Sequence, residues 1–335
     1  MRKIKVLVVD DSLFYRKLIT EWLSGDPDIE VVGHASDAFE ASKKITELTP
    51  DVMTLDLEMP VMNGIEFLRN LMPKSPLPVI VISSASERVF EALEAGALDF
   101  VAKYEASSGK KLESFINDLT AKVKIASVAN LKIRKKTAAP GLRGAEPDKL
   151  IAIGASTGGT EAVLAILKEL PPDLPGIVVV QHMPPVFTNM YAQRLNKILK
   201  FQVSEAKDGD EVKSGRVLIA PGDRHMKVVK SGGGYKVRCV EGEKVSGHCP
   251  SVDVLFNSAA DAAGKNAVGV ILTGMGSDGA KGLLTMRAKG ARTIGQDKDS
   301  SVVYGMPKAA FELGAVEQQA SLDKIPQLIC SLVKI

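Results

Sequence analysis

Long uninterrupted apolar runs are missing from this chain, and with them any expected membrane-spanning helix. The charged-then-apolar pattern of a secretory leader is missing too. Met1 to Asp10 lead straight into a strand pattern, so the expected location is the cytoplasm. Cysteine is scarce: Cys239, Cys249 and Cys330 suit a reducing compartment. Cys239 with His248-Cys249 matches no zinc spacing, which leaves buried or free thiols. Net charge is only +3, too little to argue for nucleic acid or a membrane surface as partner. What is present is an ordinary globular composition, 45% hydrophobic and 25% charged, in 335 residues, enough for two domains.

Residues 1–131 alternate strand and helix patterns. Apolar runs at Ile4–Val9, Ile29–Val32, Val52–Leu55, Pro78–Ile82 and Leu98–Ala102 predict a parallel sheet covered on both faces. Ser12 and Gly25 bracket a helix whose Phe14, Leu18 and Trp22 share one face. A second helix spans about Asp37–Leu48, and a last one is expected from Leu112 toward Ile133. Asp10, Asp11, Asp56, Ser83 and Lys103 all fall at carboxyl ends of these strands, where doubly wound sheets place their ligands. Three converging carboxylates repel one another unless a cation is shared, and Mg2+ fits an all-oxygen set. A carboxylate beside Mg2+, with a hydroxyl and a lysine at hand, can accept a phosphoryl group. After a basic, Pro- and Gly-bearing stretch at 132–147, read as a linker, the alternation resumes.

In residues 148–335 the stretch Leu150–Thr160 reads as a buried strand, a glycine turn and a helix, with Val163, Ile166, Leu167 and Leu170 on one face. Gly154-Ala155-Ser156-Thr157-Gly158 satisfies G-x-S-x-G in that context. The same turn also suits an anion or dinucleotide, with Ser156 as a mere turn residue or cap. Further strands at Ile177–Val180, Arg216–Ala220, Ala267–Leu272 and Arg292–Ile294 accompany a hairpin over Met226–Lys230 and Tyr235–Val240. Helices are expected over Thr188–Leu199 and Val252–Ala263. Of the histidines here, His182 is preferred as a base for Ser156, because it ends an apolar strand; His225 and His248 read as structural or substrate-facing. Asp278 is the best partner for that base, while Asp253, Asp261 and Asp297 read as helix or loop acids. The second strand ends in Gln181-His182 instead of an acidic ribose ligand, which weighs against a nucleotide site.

Val8-Val9-Asp10-Asp11-Ser12, Asp56–Gly64 and Asp99–Lys103 resemble the response-regulator receiver domain. The resemblance implies Asp56 as phosphoacceptor, Asp10, Asp11 and Asp56 around Mg2+, Ser83 and Lys103 on the phosphoryl group, and Phe100 as switch residue. Tyr104 stands where that family usually has proline. Gly154–Gly159, Gln181-His182-Met183, Gly274–Gly279, Ala220-Pro221-Gly222, His225-Met226 and Pro250–Phe256 resemble the catalytic domain of the bacterial chemotaxis methylesterase (CheB) family. That resemblance implies two doubly wound parallel-sheet domains of α/β class, a flavodoxin-like receiver and a Rossmann-like esterase with a β-hairpin insertion. It implies Ser156 as nucleophile, His182 as base, Asp278 as its orienter, and backbone donors near Thr157 and Met275 for the oxyanion. The implied reaction is hydrolysis of glutamate methyl esters, and deamidation of glutamines, on chemoreceptor cytoplasmic helices. A histidine kinase would supply the phosphoryl group, and no cofactor is expected in the esterase domain. The resemblance further implies that the receiver covers the Ser156 edge until Asp56 is phosphorylated. Rival readings are a phosphorylation-switched docking module and a receiver-controlled nucleotide-binding enzyme.

Overall fold

The computed structural model describes residues 2–84, 88–104, 112–131 and 148–333, and its internal contacts divide the chain into two units, Met1–Leu131 and Lys132–Ile335. The linker expected over 132–147 lies outside the described residues. No helix among the described residues is long and apolar enough to cross a membrane.

The first unit runs β1 (Ile4–Val9), α1 (Leu13–Ser24), β2 (Ile29–Ala35), α2 (Ala38–Leu48), β3 (Val52–Asp56), α3 (Gly64–Leu71), β4 (Val79–Ser83), α4 (Arg88–Glu94), β5 (Asp99–Ala102) and α5 (Leu112–Ala126). Its five strands pair in parallel in the order β2-β1-β3-β4-β5. The chain leaves β1 toward one edge and returns as β3 on the other side. A crevice therefore opens beyond the carboxyl ends of β1 and β3, where Asp10 and Asp56 stand. Side-chain caps start the helices that follow: Asp37 accepts from the N–H groups of Phe39 and Glu40, and Asn63 from those of Ile65 and Glu66. On α1, Phe14 and Trp22 are exposed, and Ile19 and Leu23 are the residues buried. One expectation needs correction: the helix expected to reach Ile133 ends at Ala126.

The second unit runs β6 (Leu150–Ala155), α6 (Gly159–Glu169), β7 (Ile177–Gln181), α7 (Phe187–Ile198), β8 (Gln202–Glu205), β9 (Glu211–Val212), β10 (Arg216–Ile219), β11 (His225–Ser231), β12 (Gly234–Val240), α8 (Val252–Ala263), β13 (Ala267–Ile271), α9 (Ala280–Ala288), β14 (Arg292–Gln296), α10 (Met306–Glu312), β15 (Gln318–Ala320) and α11 (Ile325–Val333). Seven strands form a parallel sheet ordered β15-β14-β13-β6-β7-β10-β8. Every residue of β6, β7 and β13 is buried, as expected of strands with helices on both faces. The predicted hairpin is β11–β12, and β9 joins it as a third antiparallel strand. The short polar strands β8, β9 and β15 were not expected from the sequence. From β6 the chain first goes to β7 and later returns to β13 on the other side. The switch point of this sheet thus lies beside the carboxyl end of β6, where Ser156 begins the turn.

Candidate active site and phosphoacceptor site

Three adjoining strand ends build the site of the second unit. Ser156 follows β6, His182 follows β7, and Asp278 lies in the turn between β13 and α9. The strand pairing continues into the loops: His182 N–H donates to the Ala155 carbonyl at 3.1 Å, and Ser156 N–H to the Thr273 carbonyl at 3.0 Å. Behind Ser156 the chain turns sharply. Gly159 N–H closes the turn onto the Ser156 carbonyl at 2.6 Å, the Gln181 amide donates to that same carbonyl at 2.9 Å, and Gly158 adopts φ +74°, a left-handed conformation open to glycine without strain. Gly274 is needed for a different reason. A Cβ there would come within 2.7 Å of Ser156 Cβ and 2.3 Å of Met306 Sδ, so only glycine lets the β13 loop lie against the serine. The Gly274 carbonyl is gripped by the N–H groups of Gly305 and Met306, at 3.1 and 2.7 Å. Thr157 is buried, and its carbonyl accepts the Thr273 hydroxyl at 3.0 Å; Met275 is 47% exposed at the rim.

His182 Nε2 lies 2.8 Å from Asp278 Oδ2. The other ring nitrogen, Nδ1, is buried and has no hydrogen-bond partner. Asp278 is almost fully enclosed and is served by a helix start: Oδ2 also accepts Val252 N–H at 2.8 Å, and Oδ1 accepts the Ser251 hydroxyl at 2.8 Å and Asp253 N–H at 3.0 Å. Burial alone would disfavour its charge. The bond and attraction to His182, joined by the N–H groups of α8, outweigh that and hold the carboxyl below its usual range. So the carboxylate stays ionised and fixes the imidazole with Nε2 toward it, leaving Nδ1 for other chemistry. The structure brings His182 and Asp278 together; the Ser156 hydroxyl stands at the neighbouring strand end without a hydrogen bond to the imidazole. Such contacts commonly tighten only once substrate is bound.

The remaining candidates separate cleanly. His225 is structural: its Nδ1 accepts Ser251 N–H at 3.2 Å and its Nε2 meets the Glu243 carbonyl at 2.8 Å. Asp253, read as a helix acid, is one, and its Oδ1 accepts Gly282 N–H at 2.7 Å. Burial, ahead of these bonds, raises its proton affinity. The role of Ser251 was not foreseen, although a serine before the apolar run Val252–Ala263 is the ordinary sign of a helix start.

In the first unit, ligand oxygens of Asp10, Asp11 and Asp56 lie within 4.8 Å of one another. Lys103 Nζ sits 2.8 Å from Asp56 Oδ2 and 3.1 Å from Asp10 Oδ2. Its approach to Asp10 lacks hydrogen-bond alignment, so that buried oxygen has a nearby charge but no donor. Burial, then the neighbouring Asp56, raise Asp10 to about 6 despite Lys103. A buried carboxylate oxygen without a donor, in a crowded set of acids, is the environment that a hard divalent cation relieves, and the three aspartates fit Mg2+. Burial works against the Lys103 charge, but Asp56 and Asp10 more than offset it and raise its proton affinity. Ser83 is buried at the end of β4, and its carbonyl accepts Lys103 N–H at 2.7 Å. Phe100 is buried edge-on to Phe90, with ring centroids 6.4 Å apart.

Tyr104, the departure from the receiver pattern, is held by a residue the sequence did not single out. The Tyr15 hydroxyl donates to the Tyr104 carbonyl at 2.5 Å, and Lys103 Nζ lies 4.2 Å above the centre of the Tyr15 ring. Tyr15 thus touches both the lysine and the loop that follows it.

Family models match both parts of the chain: the response regulator receiver domain over residues 6–113 and CheB methylesterase over 151–329. Among relatives, "protein-glutamate methylesterase/protein-glutamine glutaminase 2" of Syntrophomonas wolfei is 56% identical over 99% of this chain and 98% of its own length. A protein-glutamate methylesterase/protein-glutamine glutaminase of Syntrophotalea carbinolica is 49% identical over 99% and 98%. The crystal structure of the Thermotoga maritima CheB methylesterase catalytic domain superposes with a TM-score of 0.54 at 41% identity, covering 56% of this chain and 99% of that one. Two sheets whose switch points carry an acid cluster and a serine turn, matched along nearly their whole length by these relatives, place the chain in the CheB methylesterase family, with a receiver domain in front.

Proposed function

We propose that this chain is a phosphorylation-regulated protein-glutamate methylesterase and protein-glutamine glutaminase, acting on chemoreceptor cytoplasmic helices in sensory adaptation. The names of its relatives support the activity. One observation carries the chemistry: a histidine bonded through Nε2 to a buried carboxylate and left unpartnered at Nδ1, on the strand end next to the one that carries Ser156.

His182 Nδ1 takes the Ser156 proton as Oγ bonds to the ester carbonyl carbon. The oxyanion is held by backbone N–H groups of Thr157 and Met275, each such donor worth roughly 3–4 kcal/mol at the transition state. The imidazolium, steadied by Asp278, returns the proton to the departing methoxide, so methanol leaves and an acyl-serine remains. Water then adds to that acyl carbon, giving its proton to His182; the serine leaves, reprotonated, and glutamate is released. A glutamine side chain reacts the same way with loss of ammonia.

In the receiver, Asp56 accepts the phosphoryl group from a histidine kinase. Asp10, Asp11 and Asp56 would hold Mg2+, which would supply positive charge beside the phosphoryl oxygens. Lys103 and Ser83 contact the phosphoryl oxygens, and Phe100 is the buried ring that responds.

Methanol release from methylated receptor, with and without acetyl phosphate and Mg2+, tests both halves. Wild type is expected to be stimulated, Asp56→Asn to keep basal activity without stimulation, and Ser156→Ala to fall by at least about 10^3-fold. Full activity in Ser156→Ala would overturn the assignment.

A further inference from the structure

His248 lies outside the serine–histidine–aspartate set, yet its ring lies flat on that of His182, with centroids 3.7 Å apart and planes 9° from parallel. The chain goes to some length to put it there. Val245 and His248 exchange backbone hydrogen bonds, each 3.0 Å, across Ser246 and Gly247, whose φ values are +52° and +83°. Two successive positive φ values make this a tight turn of the primed kind, which costs strain at a serine. The Ser246 hydroxyl answers that cost by donating to Asp253 Oδ2 at 3.1 Å. Asp253 in turn donates its N–H to Asp278, so one helix start anchors both the carboxylate that binds the edge of His182 and the turn whose histidine covers its face.

We infer that His248 is a positioning residue for the reaction: its neutral ring fixes the plane of His182 so that Nδ1 is presented to Ser156, and it keeps water off one face of the imidazolium. The inference rests on the proposed role of His182 as the base. A ring bonded only at Nε2 can still swing about that bond; the stack removes this freedom. Protonation of His248 would set a second cation against the imidazolium. Burial, and then the neighbouring His182, push its proton affinity down to about 4 against the pull of Asp278, with Lys244 adding to the depression. His248 is therefore uncharged at neutral pH.

The test compares full-length wild type, His248→Phe, His248→Ala, His182→Ala and Ser156→Ala in steady-state methanol release from methylated receptor, between pH 5 and 9. A flat uncharged ring suffices, so His248→Phe is expected to keep kcat within a few-fold. His248→Ala is expected to lose kcat by about 10- to 100-fold with KM little changed, and to keep its melting temperature. Two results overturn the inference: His248→Ala matching wild type in kcat, or His248→Phe falling as far as His182→Ala, which would make His248 a proton carrier. Activity surviving in Ser156→Ala would instead strike at the esterase reading itself, so the two failures are told apart.

Discussion

At the residue scale, the chemistry turns on which atom of each side chain is committed. Asp278 collects four donors, and only one of them is the imidazole. Replacing it by asparagine should leave the fold intact but supply an amide where the imidazole needs an anion, and kcat is expected to drop on the order of 10^3- to 10^4-fold. Steady-state methanol release alongside a melting curve checks this. Ser251→Ala removes a hydroxyl donor to the buried carboxylate and is expected to cost about 1.5–3 kcal/mol of stability in urea unfolding. In the receiver, Tyr15→Phe keeps a ring under Lys103 but frees the Tyr104 carbonyl, whereas Tyr15→Leu loses both contacts. Asp56 phosphorylation by acetyl phosphate, followed by intact mass, should slow only slightly in the first variant and about 2- to 30-fold in the second, the span of a cation–π contact. Equal rates in all three proteins would show that Lys103 needs no such support. Which acids and hydroxyls end strands was readable from the sequence, because an apolar run stops where a polar residue begins. The Tyr15–Lys103 and His182–His248 contacts were not, because no period or spacing links residues 88 or 66 positions apart.

At the scale of elements, the N-terminus of α8 organises the surroundings of Asp278. Its Ser251, Val252 and Asp253 serve Asp278, while Asp253 secures both the turn carrying His248 and the N–H of Gly282 in α9. The apolar period of Val252–Ala263 predicts the helix, but that its first turn grips Asp278 depends on how the sheet folds over it. A pH consequence follows. His248 binds a proton less readily in the folded chain, at about 4, than its ordinary value of 6.5. Between those values the unfolded chain holds more protons. Stability from this group is therefore complete above pH 6.5 and is lost as pH falls toward 4, by no more than ~3 kcal/mol. Urea unfolding of the second unit at stepped pH should show this decline, and His248→Phe should flatten it. The short strands β8, β9 and β15 escaped notice because four, two and three residues are too few to display a period.

For the whole molecule, two parallel sheets each place their chemistry at a topological switch point. That much was legible in the alternation of apolar strands and helical periods, and in the polar residues ending those strands. Which side of α1 is the core was not legible, because Phe14 and Trp22 are apolar yet exposed and a period alone does not say which side is buried. The candidate Mg2+ ligands Asp10, Asp11 and Asp56 all belong to the first unit. Mg2+ is expected to raise the melting temperature of the receiver transition and leave the other unmoved, with about 2.7 kcal/mol gained at a hundredfold excess over its dissociation constant. Asp10→Asn combined with Asp56→Asn should abolish that shift.

The most direct measurement is active-site mapping of the full-length protein with a serine-directed fluorophosphonate, followed by peptide mass spectrometry. One adduct is expected, on Ser156, absent from Ser156→Ala and strongly slowed in His182→Ala. An esterase-active preparation labelled at another serine, or at none, would contradict the serine–histidine–aspartate assignment.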